Sequence, residues 1–293
     1  MKTIRVGSRD SKLAIIQSQM VMDAIKSYDS NIKTELITMK TTGDKILDVT
    51  LDKIGGKGLF VKELDEALIN GEVDITVHSY KDMPMQIDED LPVVALSTRE
   101  DERDVLILPK GQTFSDKPVG CSSERRTMQL KELGFENIKP LRGNVITRLK
   151  KLDDGEYSAI VLAAAGIKRL GLEERISRYF TVDEIMPAAC QGIIAVQARK
   201  GEDTSYLRCF HSYASQVISE AERAFITALN GGCSSPVAAY AYLDKDILVL
   251  NGLYVDKENK IAVRGSQHGT PAQAAVLGEE LANRLKERGV TMI

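Results

Sequence analysis

GLFVKELDEALINGEVDITVHS (58–79) predicts a helix that leads directly into a buried strand. Its first part spaces apolar residues as an amphipathic helix does, and Gly71 marks where that helix ends. The apolar residues of DITVHS (74–79) then indicate a strand. Because helix and strand alternate within so short a stretch, the region favours an α/β sheet.

Three earlier elements extend this pattern towards the N-terminus. Thr3–Val6 is predicted to be a strand, residues 11–27 a helix capped by Ser11, and residues 33–41 a second strand. The resulting order is β-α-β-α-β. Open sheets built in this way bind their ligands at the ends of strands.

The pattern restarts after Pro92 and predicts a second α/β lobe from about Arg103 to Met186. Its predicted elements are strands at 104–109 and 117–123, helices at 125–134 and 145–156, and a buried strand running into a turn at 157–171. One further strand, at 192–199, is assigned to the first lobe.

The C-terminal part has a different pattern, which predicts a small α+β domain. A helix ended by glycines is followed by a run of antiparallel strands and a closing helix, at 219–232, 237–243, 246–256, 260–269 and 271–289. The predicted domains are therefore 1–98 with 193–211, 102–187, and 215–293.

Composition indicates a reduced, cytoplasmic, multi-domain protein. The 293 residues carry a net charge of −3, which gives no reason to expect a nucleic-acid partner. No run of about 18 apolar residues predicts a membrane span, and no signal peptide is evident. The four cysteines form no CxxC pair, so neither a zinc site nor a disulfide scaffold is expected.

Cys233 is the cysteine with an unusual setting. It lies in LNGGCSSPV (229–237), behind two glycines and before a Ser-Ser-Pro turn, whereas structural cysteines usually sit among apolar neighbours. This setting suggests that something is attached to the thiol or that the thiol attacks a substrate. Cys121, Cys190 and Cys209 are expected to be small buried residues.

Basic residues recur at predicted loops and helix starts. Arginine grips carboxylates or phosphates with two parallel hydrogen bonds, and helix N-termini also attract anions. The set could therefore line a cleft for a ligand with many carboxylates, or each member could be an ordinary solvated surface charge. Its members are Arg9, Lys53, Lys57, Lys81, Arg125, Arg126, Arg142, Arg148 and Arg169.

Asp82 is the acidic residue that stands out, since it follows a predicted buried strand and precedes a proline. A carboxylate held there could stabilise a developing cation or move a proton, although a turn-capping aspartate is the commoner case. His78 ends an apolar strand and is expected to be a core histidine rather than a catalytic one. GGKG (55–58) lacks the spacing of a nucleotide-binding loop and could be a lid or a plain loop.

Several of these stretches together resemble the porphobilinogen deaminase (hydroxymethylbilane synthase) family from end to end. The motifs are GSRDSKLAIIQ, GGKGLFVKELD, VHSYKDMP, SSERR, LRGNVITRL, SAIVLAAAGIKRLG, PAACQG and NGGCSSP. The resemblance implies two periplasmic-binding-protein-like α/β lobes and a third α+β domain that bears the cysteine. It also implies a monomer.

The resemblance implies a transferase that joins four porphobilinogen molecules head to tail and releases an ammonia for each. The product is a linear tetrapyrrole, hydroxymethylbilane, which passes to a downstream synthase. The implied primer is a dipyrromethane cofactor linked to Cys233 through a thioether, and Asp82 takes the central catalytic role. No metal is implied.

By motif match, the basic set would hold the acetate and propionate groups of cofactor and substrate. The implied cofactor-binding residues are Arg9, Lys81, Ser123, Arg125, Arg126, Arg142, Arg148, Gln191 and Gly192. The implied substrate-binding residues are Arg9, Gln17, Arg142, Arg148 and Arg169. Lys53 and Lys57 would lie on a mobile loop over the cleft.

The chain departs from the family pattern at three positions. Cys190 stands where a glycine is usual, Gln197 where an acidic residue is usual, and Glu124 where an apolar residue is common. A side chain at 190 is expected to alter the hinge backbone and to add a second thiol near the cleft.

Three other functions are compatible with parts of the sequence. A two-lobed binding protein for an anionic solute would explain the lobes and the arginines, but not Cys233 or the third domain. A Schiff-base enzyme could use Lys57 or Lys81. A cysteine hydrolase built on Cys233 would need a partner histidine, and no convincing one is evident.

Overall fold

A computed structural model describes residues 3–45, 61–230, 236–256 and 261–291. The predictions for Cys233, Lys53, Lys57 and GGKG fall outside these residues. Within them, the chain forms two α/β lobes and a separate α+β domain, so the predicted fold class is confirmed.

The first lobe is built on a five-stranded mixed sheet. Ser11 caps the first helix as predicted, because its hydroxyl accepts a hydrogen bond from the Ala14 amide at 3.3 Å. The elements are β1 (Thr3–Arg9), α1 (Lys12–Tyr28), β2 (Lys33–Met39), α2 (Thr42–Lys45), α3 (Lys62–Ile69), β3 (Ile75–Ser79) and β4 (Val93–Leu96). Gly71, at φ +69°, follows α3 where the sequence predicts the end of that helix.

The second lobe has a sheet of the same size. Its elements are β5 (Asp104–Ile107), β6 (Val119–Gly120), α4 (Glu124–Glu132), β7 (Ile138–Lys139), α5 (Val145–Asp153), β8 (Ala159–Ala163), α6 (Ala164–Arg169) and β9 (Arg178–Tyr179). The turn predicted after the buried strand is wrong, because the chain forms α6 there. Three alanines at 163–165 favour a helix, which gives way to Gly171 at φ +65°.

The chain crosses between the lobes twice. The strand β10 (Ile194–Ala198) follows the second lobe in sequence but lies in the first sheet, whose order is β2-β1-β3-β10-β4. The second sheet has the order β7-β6-β8-β5-β9. In each sheet the fourth strand, β10 or β5, is antiparallel to both of its neighbours. The connections β4–β5 and β9–β10 therefore form a double hinge.

The third domain packs two helices against a three-stranded antiparallel sheet. Its elements are α7 (Tyr213–Ala228), β11 (Ala238–Asp244), β12 (Ile247–Asp256), β13 (Ile261–Gly269) and α8 (Ala274–Thr291). The first helix begins earlier than predicted because Ser212 caps it through the Ser215 amide. The apolar core of this domain continues into the first lobe through Tyr80 and Met83.

Candidate functional site

A cleft of about 690 Å³ lies between the two lobes and reaches the hinge and the third domain. Three helices begin at its wall, and each is capped by a side chain: Ser11, Ser123 and Asn144. The predicted site residues that line it are Arg9, Gln17, Lys81, Asp82, Ser123, Arg125, Arg126, Arg142, Arg148, Arg169, Gln191 and Gly192. All the predicted site residues within the described ranges are therefore brought together in one cavity.

Asp82 occupies the first-lobe side of this cleft. It ends the 3-10 turn Tyr80–Asp82, which follows β3 directly, and its side chain is exposed, whereas the next residue, Met83, is fully buried. Among the described residues, the Asp82 carboxylate accepts no hydrogen bond. It is an exposed carboxylate at a strand end, and its charge acts on Arg126 and Arg148 of the second lobe.

Arg125 and Arg126, at the start of α4, share a single buried carboxylate. The Arg125 guanidinium contacts Asp104 Oδ2 at 2.8 Å, and Arg126 contacts Oδ1 at 2.7 Å. Asp104 is fully buried, and the two guanidinium groups hold its pKa far below the ordinary range despite that burial. These arginines are therefore buried structural cations at the cleft wall and not solvated surface charges.

Lys81 adds a third cation to the same cluster. Its Nζ donates to Gln191 Oε1 at 3.1 Å, and Gln191 Nε2 in turn donates to Asp104 Oδ1 at 2.9 Å. Burial, reinforced by the nearby charge of Arg126, lowers the pKa of Lys81 to about 8. Three cationic side chains thus surround one buried carboxylate, so the wall carries excess positive charge.

Arg148 and Arg169 extend this positive wall across the second lobe. Arg148 Nε donates to the Gly143 carbonyl at 2.7 Å, and Arg169 Nη2 donates to the Gly192 carbonyl at 2.6 Å. Burial lowers the pKa of each guanidinium to about 10, with Arg126 contributing at Arg148. Within the described part of the chain, Arg169 Nε is buried and has no hydrogen-bond partner. It is a donor suited to an anionic ligand.

Polar residues complete the cleft. Gln17 on α1 is buried and donates to Ser79 Oγ at 2.9 Å, at the end of β3. Gly192 has φ +91°, and a Cβ there would clash with the carbonyl of Glu100, so the hinge requires glycine at this position.

Of the three residues that depart from the family pattern, Glu124 lines the cleft, whereas Cys190 and Gln197 do not. Cys190 has φ +63° and is buried in the core shared with the third domain, where its amide donates to Glu222. Its thiol does not line the cleft, although its neighbours Ala189 and Gln191 do, and the unusual hinge backbone is present. Gln197 is buried and donates to the Leu91 carbonyl at 2.7 Å, and Glu124 is exposed on the first turn of α4.

His78 is a core residue, as expected. It is buried and bonded to Thr76 Oγ1 at 2.9 Å, and burial lowers its pKa to about 3, so the ring stays neutral. Cys121 is buried, but the expectation that Cys209 is buried is wrong. Cys209 is exposed, because it lies in the short segment between β10 and α7 on the outside of the first lobe.

The sequence reasoning missed Asp104, which neutralises part of the arginine cluster. An acidic residue at the start of the otherwise apolar DVLILP (104–109) was the available signal, since a buried carboxylate needs a partner. It also missed Glu222, which is fully buried on α7 and bonds Arg99 at 2.7 Å. That pair joins the third domain to the hinge.

A dipyrromethane with several carboxylates fits the residues of this cleft. The cavity is large, and its second-lobe wall has more cations than carboxylates. Among the described residues, the Arg169 Nε atom is a buried donor with no acceptor. Among the described residues, no group of His, Cys, Asp and Glu could hold a metal ion. No helix in those residues is both long and apolar enough to cross a membrane.

Comparisons with known proteins identify relatives over nearly the whole chain. A family model described as "Porphobilinogen deaminase, dipyromethane cofactor binding domain" matches residues 4–207, and one described as "Porphobilinogen deaminase, C-terminal domain" matches 217–287. The porphobilinogen deaminase of Ruminiclostridium cellulolyticum is 62% identical over 289 residues, covering 98% of each chain. That of Acetivibrio thermocellus is 62% identical over 95% of this chain and 96% of its own. This chain belongs to the porphobilinogen deaminase family.

Proposed function

We propose that the chain deaminates porphobilinogen and joins four molecules of it into hydroxymethylbilane, starting from a dipyrromethane primer on Cys233. The observation that carries the proposal is the interlobe cleft, in which the exposed carboxylate of Asp82 shares one cavity with a set of buried and half-buried cations. Family membership supports the same reaction.

The cationic wall suits the charges of the substrate. Each pyrrole unit carries an acetate and a propionate, so the growing chain accumulates negative charge. In this proposal, Lys81, Arg125, Arg126, Arg142 and Arg148 hold the carboxylates of the primer. A charge-assisted hydrogen bond from a buried guanidinium is stronger than one between neutral groups.

The remaining cofactor contacts come from both lobes and the hinge. Ser123, Gln191, Gly192 and Arg9 complete the proposed primer site, and the dipyrromethane, when bound, supplies the terminal pyrrole carbon to which the first substrate is joined. Arg9, Gln17, Arg142, Arg148 and Arg169 hold incoming substrate. Arg169 contributes through its buried Nε donor.

Asp82 acts on the positive charge that develops when ammonia leaves the substrate. Loss of the amino group leaves a cation that is delocalised over the pyrrole ring and its nitrogen. A carboxylate beside that nitrogen stabilises the cation and the charged ring that follows coupling, and can then take up the proton that is lost. Its position on a turn after a strand leaves it free to face successive rings.

We also propose the class of the enzyme, its oligomeric state and the fate of its product. The reaction makes it a transferase that forms carbon–carbon bonds between pyrroles. We propose that it acts as a monomer and that its linear product is consumed by a synthase that closes the ring. The cytoplasmic location and the lid role of Lys53 and Lys57 stay predictions.

The test is the mass of the purified protein and of its Cys233 peptide, with Cys233→Ser as the control. We expect a mass excess equal to two substituted pyrroles on that peptide in the wild-type chain, none in the control, and ammonia release when porphobilinogen is added. An unmodified Cys233 that gains no pyrroles and releases no ammonia would overturn the proposal. A binding protein for an anionic solute would then be favoured.

A further inference from the structure

The turn that carries Asp82 is held from the third domain by one arginine, Arg223. Because the Asp82 carboxylate accepts no hydrogen bond among the described residues, the backbone of its turn sets the region of the cleft that the side chain can reach. A group that fixes this backbone therefore fixes the point from which the side chain enters the cleft.

Arg223, on α7, contacts the turn on both sides of Asp82. Its guanidinium carbon lies 4.7 Å from the centroid of the Tyr80 ring, a cation–π distance. Its Nη2 donates to the carbonyl of Pro84 at 2.6 Å and to that of Met85 at 2.7 Å. Arg223 therefore contacts the residue two positions before Asp82 and the residues two and three positions after it.

Among the described residues, Arg223 is a polar link between the turn and the third domain, and other contacts hold the turn elsewhere. The Tyr80 amide donates to the Ile193 carbonyl at 2.9 Å, which ties the start of the turn to the hinge. Met83 is buried in the core that includes Ala221 of α7, an apolar contact that fixes distance but not orientation. The helix that carries Arg223 leads, ten residues later, to Cys233.

We propose that Arg223 is a positioning residue for Asp82, which it holds in place relative to the helix that precedes the cofactor-bearing cysteine. The inference rests on the proposed function. Arginine suits the task because its planar group donates to two carbonyls while lying over an aromatic ring, which lysine does not reproduce. Misplacement of a reacting group by about 1 Å can cost about 10²-fold in rate.

The first test compares Arg223→Met with a matched control, Arg199→Met, both as cofactor-loaded enzymes. Arg199 also donates to two backbone carbonyls, those of Leu68 and Val73, each at 2.8 Å, but on the first lobe away from the cleft. We expect Arg223→Met to lower kcat about 30-fold with KM for porphobilinogen nearly unchanged. Arg199→Met should lower thermal stability and leave kcat within about twofold.

The second test asks whether Arg223 acts through Asp82. In an Asp82→Glu background, whose carboxylate is already displaced, the Arg223→Met change should cost less than about threefold in kcat. If the Met variant does not yield loaded enzyme, Arg223→Lys replaces it in the same cycle. For Arg223→Lys too, the loss in kcat should be large when residue 82 is Asp and small when it is Glu.

The outcomes separate the inference from the proposed function. Equal losses from the Arg223 change in both backgrounds, or an unchanged kcat in Arg223→Met, would overturn the positioning role alone. A normal kcat in Asp82→Glu and Asp82→Asn would overturn the proposed role of Asp82 and this inference with it.

Discussion

In the first lobe, the central strand β3 ends in the turn that carries Asp82. In the second lobe, the central strand β8 runs into α6, which carries Arg169. The two strands hold the same place in their sheets, with an antiparallel strand from the hinge beside each. The same topology therefore delivers an anion from one side of the cleft and a cation from the other.

In both lobes, the strand order determines where side chains enter the cleft. The residues that follow each strand determine the charge of those side chains. The first lobe contributes an exposed carboxylate with no hydrogen-bond donor to hold it among the described residues. The second contributes buried or half-buried guanidinium groups that are fixed by Asp104 and by backbone carbonyls. We expect Asp82 of the first lobe to act in the chemistry and the guanidinium groups of the second lobe to act in binding.

The largest effect is expected on kcat, from removing the negative charge of Asp82 in the first lobe. Asp82→Asn should lower kcat about 10³-fold, since the cation then forms with no carboxylate beside it. Because the side chain is exposed and accepts no hydrogen bond from the described residues, the melting temperature should change little. Ammonia release and thermal unfolding of the loaded enzyme measure the two quantities. A near-normal kcat would contradict the assignment of the chemistry to the first lobe.

The next largest effect is expected on the free energy of unfolding and comes from Asp104 in the second lobe. Asp104→Asn leaves the buried Arg125 and Arg126 without their carboxylate, and should cost about 3–5 kcal/mol in the free energy of unfolding. The folded-state pKa of Asp104 lies below its ordinary value of 3.8, so its stabilising contribution is present above that pH and is lost as the pH falls below it. Denaturant unfolding at pH 7 and at pH 3 checks both. A variant as stable as the wild type at pH 7 would contradict this account of the cluster.

A smaller effect is expected from one binding arginine. Arg169→Leu removes a charged donor from the cleft wall and should raise KM for porphobilinogen about 10- to 100-fold. The same change breaks the bond to the Gly192 carbonyl, so unfolding should be measured beside steady-state kinetics. An unchanged KM in a folded variant would remove Arg169 from the substrate site.

The smallest expected effect is a pH dependence from Lys81. Its pKa in the folded chain is about 8, so the side chain is charged below that pH and loses its charge as the pH rises through it. Because Lys81 is proposed to hold primer carboxylates, the time needed to load the apo-protein with its primer should therefore rise up to about tenfold above pH 8. Lys81→Arg keeps its charge and should flatten this rise. Identical alkaline profiles for the two enzymes would show that another group titrates there.

Local pattern was enough to predict most of the fold, but not its contacts. The sequence 58–79 predicted a helix and a strand because apolar spacing and Gly71 are local signals, and Ser11 was recognised as a cap for the same reason. The helix α6 was missed because a buried apolar run does not distinguish a strand that ends from one that continues as a helix.

The sequence predicted the charged residues that line the candidate site, but not the residues that hold them in place. Asp82 and the arginines stand beside turns and caps, which the sequence shows. Asp104 and Arg223 act through partners 21 or more residues away, and no local signal identifies such partners. The burial of Arg125 and Arg126 likewise depends on Asp104, so sequence alone left their exposure open.

The most direct test of the division between the lobes is ammonia release at saturating porphobilinogen by loaded Asp82→Asn and Arg169→Leu, measured side by side. If Asp82 of the first lobe acts in the chemistry and Arg169 of the second lobe acts in binding, saturation should restore Arg169→Leu to nearly the wild-type rate and leave Asp82→Asn about 10³-fold slower. Equal residual rates in the two variants, or recovery of Asp82→Asn at high substrate, would contradict it.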